Sequence, residues 1–231
     1  MDQNLTYLLI NLFTISYPLA QSFEWRLKLY KKWFALLPAI LITGIIFIIW
    51  DVIKTHYGVW WFNNDYLLGI YLINLPLEEW LFFITVPYAC VFIYEVLNYY
   101  IKKDIFGKYY NFISYVLIAL LTFTAAFNID KAYTSVAFLS LAAYLLILVL
   151  FVRPKWLGKF YLAYIVSMIP FFIVNGILTN LPVVLYNNSE NLSIRIFSIP
   201  IEDTMYSMLL FLMNVSIYEY FMARWKFIKE A

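Results

Sequence analysis

Read for polarity alone, the chain is a succession of apolar runs separated by short polar loops. Windows long enough to cross roughly 30 Å of hydrocarbon, which takes about 20 residues, fall near 5–22, 34–50, 76–97, 111–128, 133–152, 160–178 and 200–222. They predict seven helices. The pattern also repeats: at a spacing of 124, without a gap, Pro76 matches Pro200, Glu78 matches Glu202, Glu79 matches Asp203, Tyr94 matches Tyr218 and Glu95 matches Glu219. Asp51 and Asn175, Thr55 and Thr179, and the pairs Asn63-Asn64 and Asn187-Asn188 keep the same spacing. A repeat this long is no solenoid; it reads as a doubled three-helix unit, as in membrane proteins built from parallel repeats. The expected fold is therefore an all-α integral membrane protein, a seven-transmembrane-helix bundle with a first repeat over 1–107, a connecting helix over 108–130 and a second repeat over 131–231. The connector restores parallel orientation.

Composition agrees with that solvent. At 65% hydrophobic, 13% charged and a mean hydropathy of +0.79, the chain is far more apolar than soluble domains, where about 25% of residues are charged. The net charge of +2, with no concentrated basic stretch, gives no reason to expect a nucleic-acid partner. Cys90 is the only cysteine and His56 the only histidine. No disulfide framework, thiol metal site or histidine-clustered metal centre is expected. The first apolar run is retained as a helix, since Met1-Asp2-Gln3 lacks a basic segment and no small-residue cleavage site follows.

Basic residues in the short loops set the orientation. Arg26, Lys28, Lys31, Lys32, Lys102, Lys103, Lys108, Arg153, Lys155, Lys159, Arg224, Lys226 and Lys229 fall on one side, and only Lys54, Lys131 and Arg195 on the other. This predicts a multi-pass protein of the cell membrane, amino terminus outside and carboxyl terminus cytoplasmic. Trp25, Trp33, Trp156 and Trp225 then mark the cytoplasmic boundary, and Trp50, Trp60, Trp61 and Trp80 the outer one. Pro87 and Pro170 read as local kinks outside any site.

The candidate chemistry is the doubled acidic pair. Glu78, Glu79, Glu202 and Asp203 head apolar helices that hold no Lys or Arg to neutralise them, and a charge at a helix centre costs about 2.5–3.5 kcal/mol on insertion scales. Pro followed by acids is also an ordinary helix start, so recurrence of the pair in both repeats carries the argument. Neighbours on a helix point about 100° apart; one acid of each pair can face the bundle while the other caps or reaches water. Glu95 and Glu219 lie 17 residues further on, about 25 Å along a helix, where a structural pairing with Lys102, Lys103 or Arg224 is expected. If the two inward acids approach across a pseudo-twofold, desolvation and mutual repulsion raise one pKa, and that group holds a proton it can give away. A proton donor among aromatic rings suits protonation of an olefin, because the carbocation formed needs π-faces and a carboxylate. Phe82, Phe83 and Tyr206 are the rings best spaced to face such a cation. A transporter with paired intramembrane carboxylates is the alternative. A retinal-binding photoreceptor is disfavoured because 200–222 contain no lysine.

At these residues the chain resembles a known family. Pro-Leu-Glu-Glu and Pro-Ile-Glu-Asp, each opening an apolar helix that ends Tyr-Glu, look like the repeated signature of the membrane-integral lycopene cyclases, heterodimers in some bacteria and fused chains in others. The strings WDVIKTHYGVWWFN and NGILTNLPVVLYN are similar to the family's segments before each signature. The absence of GxGxxG sets the chain apart from the soluble flavin-dependent lycopene cyclases. The resemblance implies a lycopene β-cyclase without cofactor or metal, closing the ψ-ends of lycopene to β-rings by protonation at C2, attack of the C5–C6 double bond on the C1 cation and proton loss from C6. A cyclase of C50 carotenoids is the alternative inside the family. Implied partners are the apolar carotenoid, membrane lipid and other enzymes of carotenoid synthesis. The roles expected are Glu78 and Glu202 as inward acid and base, Glu79 and Asp203 as their tuning partners, and Asp51 and Asn175 as polar groups closing the substrate site from the outer loops.

Overall fold

The computed structural model describes residues 3–230; the side chains of Lys226, Lys229 and Glu230 are outside the described set, as are Met1, Asp2 and Ala231. The readings that involved Met1, Asp2, Lys226 and Lys229 therefore lie outside the described residues. Among the described residues seven α-helices follow one another: α1 (Thr6–Gln21), α2 (Trp33–His56), α3 (Leu77–Tyr100), α4 (Tyr110–Ala126), α5 (Ala132–Ile147), α6 (Leu157–Asn180) and α7 (Ile201–Glu230). The end of α5 widens into a π-helical turn, Leu148–Val152, closed by Arg153 in the left-handed region.

Their outward faces are greasy. On α2, Leu37, Leu41, Ile45 and Ile49 are exposed in steps of four while Ala39, Thr43, Phe47 and Asp51 are buried in the same steps. On α6, Ile165, Ile169, Ile173 and Ile177 form a like exposed stripe. Residues four apart share a helix face, so polar Thr43 and Asp51 point inward and isoleucines outward, the reverse of a helix facing water. Leu29–His56, Leu77–Tyr100, Ala132–Val152 and Leu157–Asn180 are long and apolar enough to cross a membrane, and Tyr110–Ala126 is a shorter apolar helix.

The sequence repeat is also a structural one. Strands β2 (Tyr71–Leu72) and β3 (Leu75–Pro76) make a hairpin whose pairing, Tyr71 with Pro76 and Leu72 with Leu75, recurs 124 residues on in β5 (Arg195–Ile196) and β6 (Ile199–Pro200). Ile73 and Phe197 occupy the left-handed region at the two tips. Behind each hairpin the first N–H of the next helix is satisfied alike, Leu77 N–H by Ile70 O and Ile201 N–H by Ile194 O. The repeats then pair with each other: β1 (Trp60–Phe62) lies antiparallel to β4 (Val184–Tyr186), with Trp61 opposite Leu185. Those two positions are themselves 124 apart, so a pseudo-twofold axis runs between them. Below this ribbon α2 packs along α7, and α3 lies between α1 and α6, while α4 packs on α5.

Candidate active site

Three carboxyl groups gather beneath the β1–β4 ribbon. Glu79 is the third residue of α3, and Asp203 holds the matching place on α7. Asp51 lies on α2, which runs on to His56, well past the apolar window ending at residue 50. Each acid is buried and each is held by tyrosine. Tyr7 of α1 donates to Glu79 Oε2 at 2.5 Å. Tyr133 of α5 and Tyr186 of β4 donate to Asp203 at 2.6 and 2.8 Å, and Asn175 Nδ2 donates to its Oδ2 at 3.3 Å. Tyr206, one turn after Asp203, crosses to Asp51 and donates to Oδ1 at 2.6 Å. Asp51 and Glu79 stand side by side at the head of the cleft. Two carboxyl groups so placed out of water favour one proton between them over two charges. A lone buried carboxylate would cost several kcal/mol; charge-assisted donors offset part of that cost at Asp203. Tyr186, in the ribbon, is pushed well above the usual phenol range by burial and then by the charge of Asp203, so it remains a donor.

Below the acids opens an apolar cleft between the helices. Asp51, Glu79, Asp203, Asn175, Phe82 and Tyr206 all line it. Its aromatic roof is Trp60, whose ring meets those of Tyr133 and Tyr206 edge-on at 5.1 and 6.3 Å. Its walls descend through Val86, Cys90 and Ile93 of α3 and Met168, Phe171 and Val174 of α6.

Several placements differ from those expected from the sequence. Glu78 and Glu202, expected to face inward, turn away from the cleft: Glu78 Oε1 accepts Leu68 N–H at 2.7 Å, and Glu202 Oε1 accepts Leu192 N–H at 2.7 Å and Thr134 Oγ1 at 2.6 Å. Both are fully buried. The about 100° step between neighbours thus gives the cleft to the second acid of each doublet and uses the first to tie down the loop ten residues before it. Asp51 and Asn175 close the cleft from the last turns of α2 and α6, not from loops; a polar side chain satisfied inside the bundle does not end a helix. Phe83 lies in the core against Phe47, at 6.0 Å between ring centroids, and is not part of the cleft wall. Conversely, Pro87 and Pro170 both line the cleft, and Trp60 is buried in its roof, not spread on a membrane surface. At the opposite end of the bundle Glu95 pairs with Lys32, not with Lys102, Lys103 or Arg224. There the repeats exchange hydrogen bonds: Tyr94 donates to Glu219 Oε1 at 2.6 Å and Tyr218 to Glu95 Oε1 at 2.7 Å.

Tyr7, Tyr133 and Tyr186 were not singled out by sequence reasoning, and Trp60 was named only for the outer aromatic boundary. Tyr7 and Tyr133 hold equivalent acids but are 126 apart, not 124, so an ungapped comparison aligns neither. Among the described residues no group of three or more His, Cys, Asp or Glu could hold a metal ion.

No curated protein and no solved structure matches the chain. A family model described as lycopene cyclase, however, matches residues 4–97 and again 130–221. Both matched stretches contain an acidic doublet, a hairpin and the helix that follows, and together they take in most of the sequence. The chain therefore belongs to the lycopene cyclase family.

Proposed function

We propose that this protein is a lycopene β-cyclase that spans the membrane seven times, with its amino terminus outside and its carboxyl terminus in the cytoplasm. Residues 1–107 and 131–231 form its two repeats and 108–130 its connecting helix. The observation that carries this reading is a pair of neighbouring buried carboxyl groups, Asp51 and Glu79, facing an apolar aromatic cleft together with Asp203; the scheme places one proton between the pair. An alkene offers no heteroatom to bind, so an enzyme that protonates one needs this combination: a proton held out of water, ring faces for the cation and an anion beside it.

In this scheme the Glu79–Asp51 pair delivers its proton to C2 of the ψ-end, leaving a cation at C1. The C5–C6 double bond attacks C1, closing the ring and moving the cation to C5. Loss of the proton from C6 forms the ring double bond. Asp203, held by Tyr133, Tyr186 and Asn175, is the carboxylate that accepts this proton. One proton enters and one leaves, so the reaction is redox-neutral and the two sites differ only in which holds the proton at the start. Trp60, Tyr206 and Phe82 present ring faces to the cation. Glu78 and Glu202 fix the loops, and their role is structural.

A transport role finds less support. Between the acids and the far recess around Glu95 and Glu219 the bundle is filled by Val91, Phe160, Phe211, Leu212 and Val215, all buried, with Phe160 and Phe211 packed at 5.2 Å. The test is pigment analysis of a lycopene-accumulating host expressing the chain. Cyclic carotenes are expected, and unchanged lycopene with the protein present in the membrane would remove the assignment.

A further inference from the structure

A duplicated acidic motif suggests two sites, one for each end of a symmetric substrate. The bundle is built otherwise. The two doublets do not serve separate clefts; Glu79 and Asp203 line the same one, and Tyr206 of the second repeat bonds Asp51 of the first.

The departure from symmetry has a local cause. Met168 on α6 corresponds by the 124-residue spacing to Gly44 on α2, and Phe171 to Phe47. At Gly44 α2 lies against α3, where a Cβ would already be in van der Waals contact, 3.6 Å from Phe83 O and 3.8 Å from Phe83 Cβ, so this face carries no long side chain like that of Met168. Phe47 then fills the space, fully buried, 5.0 Å from the Tyr206 ring and 6.0 Å from Phe83. On the other side Met168 and Phe171 stand along the wall of an open cleft. The repeat thus has one cleft open and its symmetry mate plugged by an aromatic ring.

The open cleft is also too short for a whole carotene. From Glu79 to Ile93 along α3 it runs about 21 Å at 1.5 Å per residue. A C40 polyene is about as long as the hydrocarbon core is thick, roughly 30 Å. All the acids lie at one end of the cleft, so one end group can reach them while the other is held away.

On the cyclase reading above, we infer that the protein has a single cyclisation slot shared by both repeats, which closes one end of the carotene per binding event. The second ring then requires the one-ring carotene to leave, turn end for end and bind again. The one-ring carotene is a released product as well as a substrate.

Isotope dilution tests this on the unaltered protein in lipid vesicles. Isotope-labelled lycopene is supplied together with increasing amounts of unlabelled one-ring carotene, and the label in the cyclic products is read by mass spectrometry. The single slot predicts that, as unlabelled one-ring carotene is added, labelled one-ring carotene accumulates at the expense of labelled two-ring product. It is equally supported if only one-ring carotene forms. Lycopene label passing wholly into two-ring product, with no labelled one-ring carotene formed whatever amount of unlabelled one-ring carotene is added, would overturn it while leaving the cyclase assignment intact. No cyclic product at all would overturn the assignment and this inference with it.

Discussion

Adjacent residues on one helix turn have separate duties here. Glu79 faces an apolar cleft in contact with Asp51, whereas Glu78 accepts the Leu68 N–H. Glu79→Gln keeps the shape and hydrogen-bonding capacity but removes the shared proton, and is expected to abolish ring formation without lowering the amount of protein in the membrane. Glu78→Gln retains an acceptor for Leu68 and is expected to leave conversion within a few fold of the unaltered protein. Glu78→Ala strands that buried N–H, a penalty of about 1–3 kcal/mol, and should lower thermal stability in detergent. Asp51→Asn makes the first repeat resemble the second, where Asn175 stands against Asp203; it should slow proton delivery strongly, read as initial rate of lycopene loss, while the protein remains folded. The doublets themselves were legible in the sequence because four acids recur in segments that have no basic residue. Which member of each doublet faces inward was not, since a 100° step leaves both orientations open until the neighbouring loop is placed. The tyrosines were hidden among 21 of their kind.

At the level of elements, the seven helices follow from seven apolar runs, and each helix found overlaps its run. The boundaries shifted where polar residues are satisfied inside the bundle. α2 continues through Asp51 and Lys54 because Asp51 has Tyr206 and Lys54 Nζ donates to Ala132 O at 2.8 Å. The hairpins and the β1–β4 ribbon carry almost no periodic signal, being two or three residues per strand, and could not be read from the pattern. The start of α6 depends on close approach: a Cβ at Gly158 would come 2.7 Å from Asp104 Oδ2 and 2.8 Å from Gly107 N. Overpacking of this kind costs about 1–3 kcal/mol. Gly158→Ala should therefore lower the melting temperature in detergent, and a melting temperature equal to that of the unaltered protein would show that the loop yields freely. On α3, Cys90 lines the cleft more than two turns below Glu79. Cys90→Trp is expected to block conversion by filling the space while Cys90→Ser leaves it near normal, with both variants present at equal levels in membranes.

Over the whole molecule, gene doubling has produced a pseudo-twofold bundle in which symmetry is kept at the two ends and broken in the middle. The β1–β4 ribbon and the exchanged Tyr94–Glu219 and Tyr218–Glu95 bonds straddle the axis. The cleft lies to one side of it. The exchanged bonds tie α3 to α7 at the end far from the acids, so Tyr94→Phe with Tyr218→Phe should loosen the halves without touching the chemistry. Hydrogen bonds to charged groups contribute about 1.5–3 kcal/mol, and the double variant should melt earlier while its conversion per folded molecule is unchanged. The account as a whole stands on the proton that the proposed scheme places between Glu79 and Asp51 at the head of an apolar cleft. Its most direct test is chromatography of pigments from a lycopene-accumulating host carrying either the unaltered chain or Glu79→Gln at matched membrane levels. Cyclic carotenes from the first and lycopene alone from the second are predicted; equal cyclisation by Glu79→Gln would contradict it.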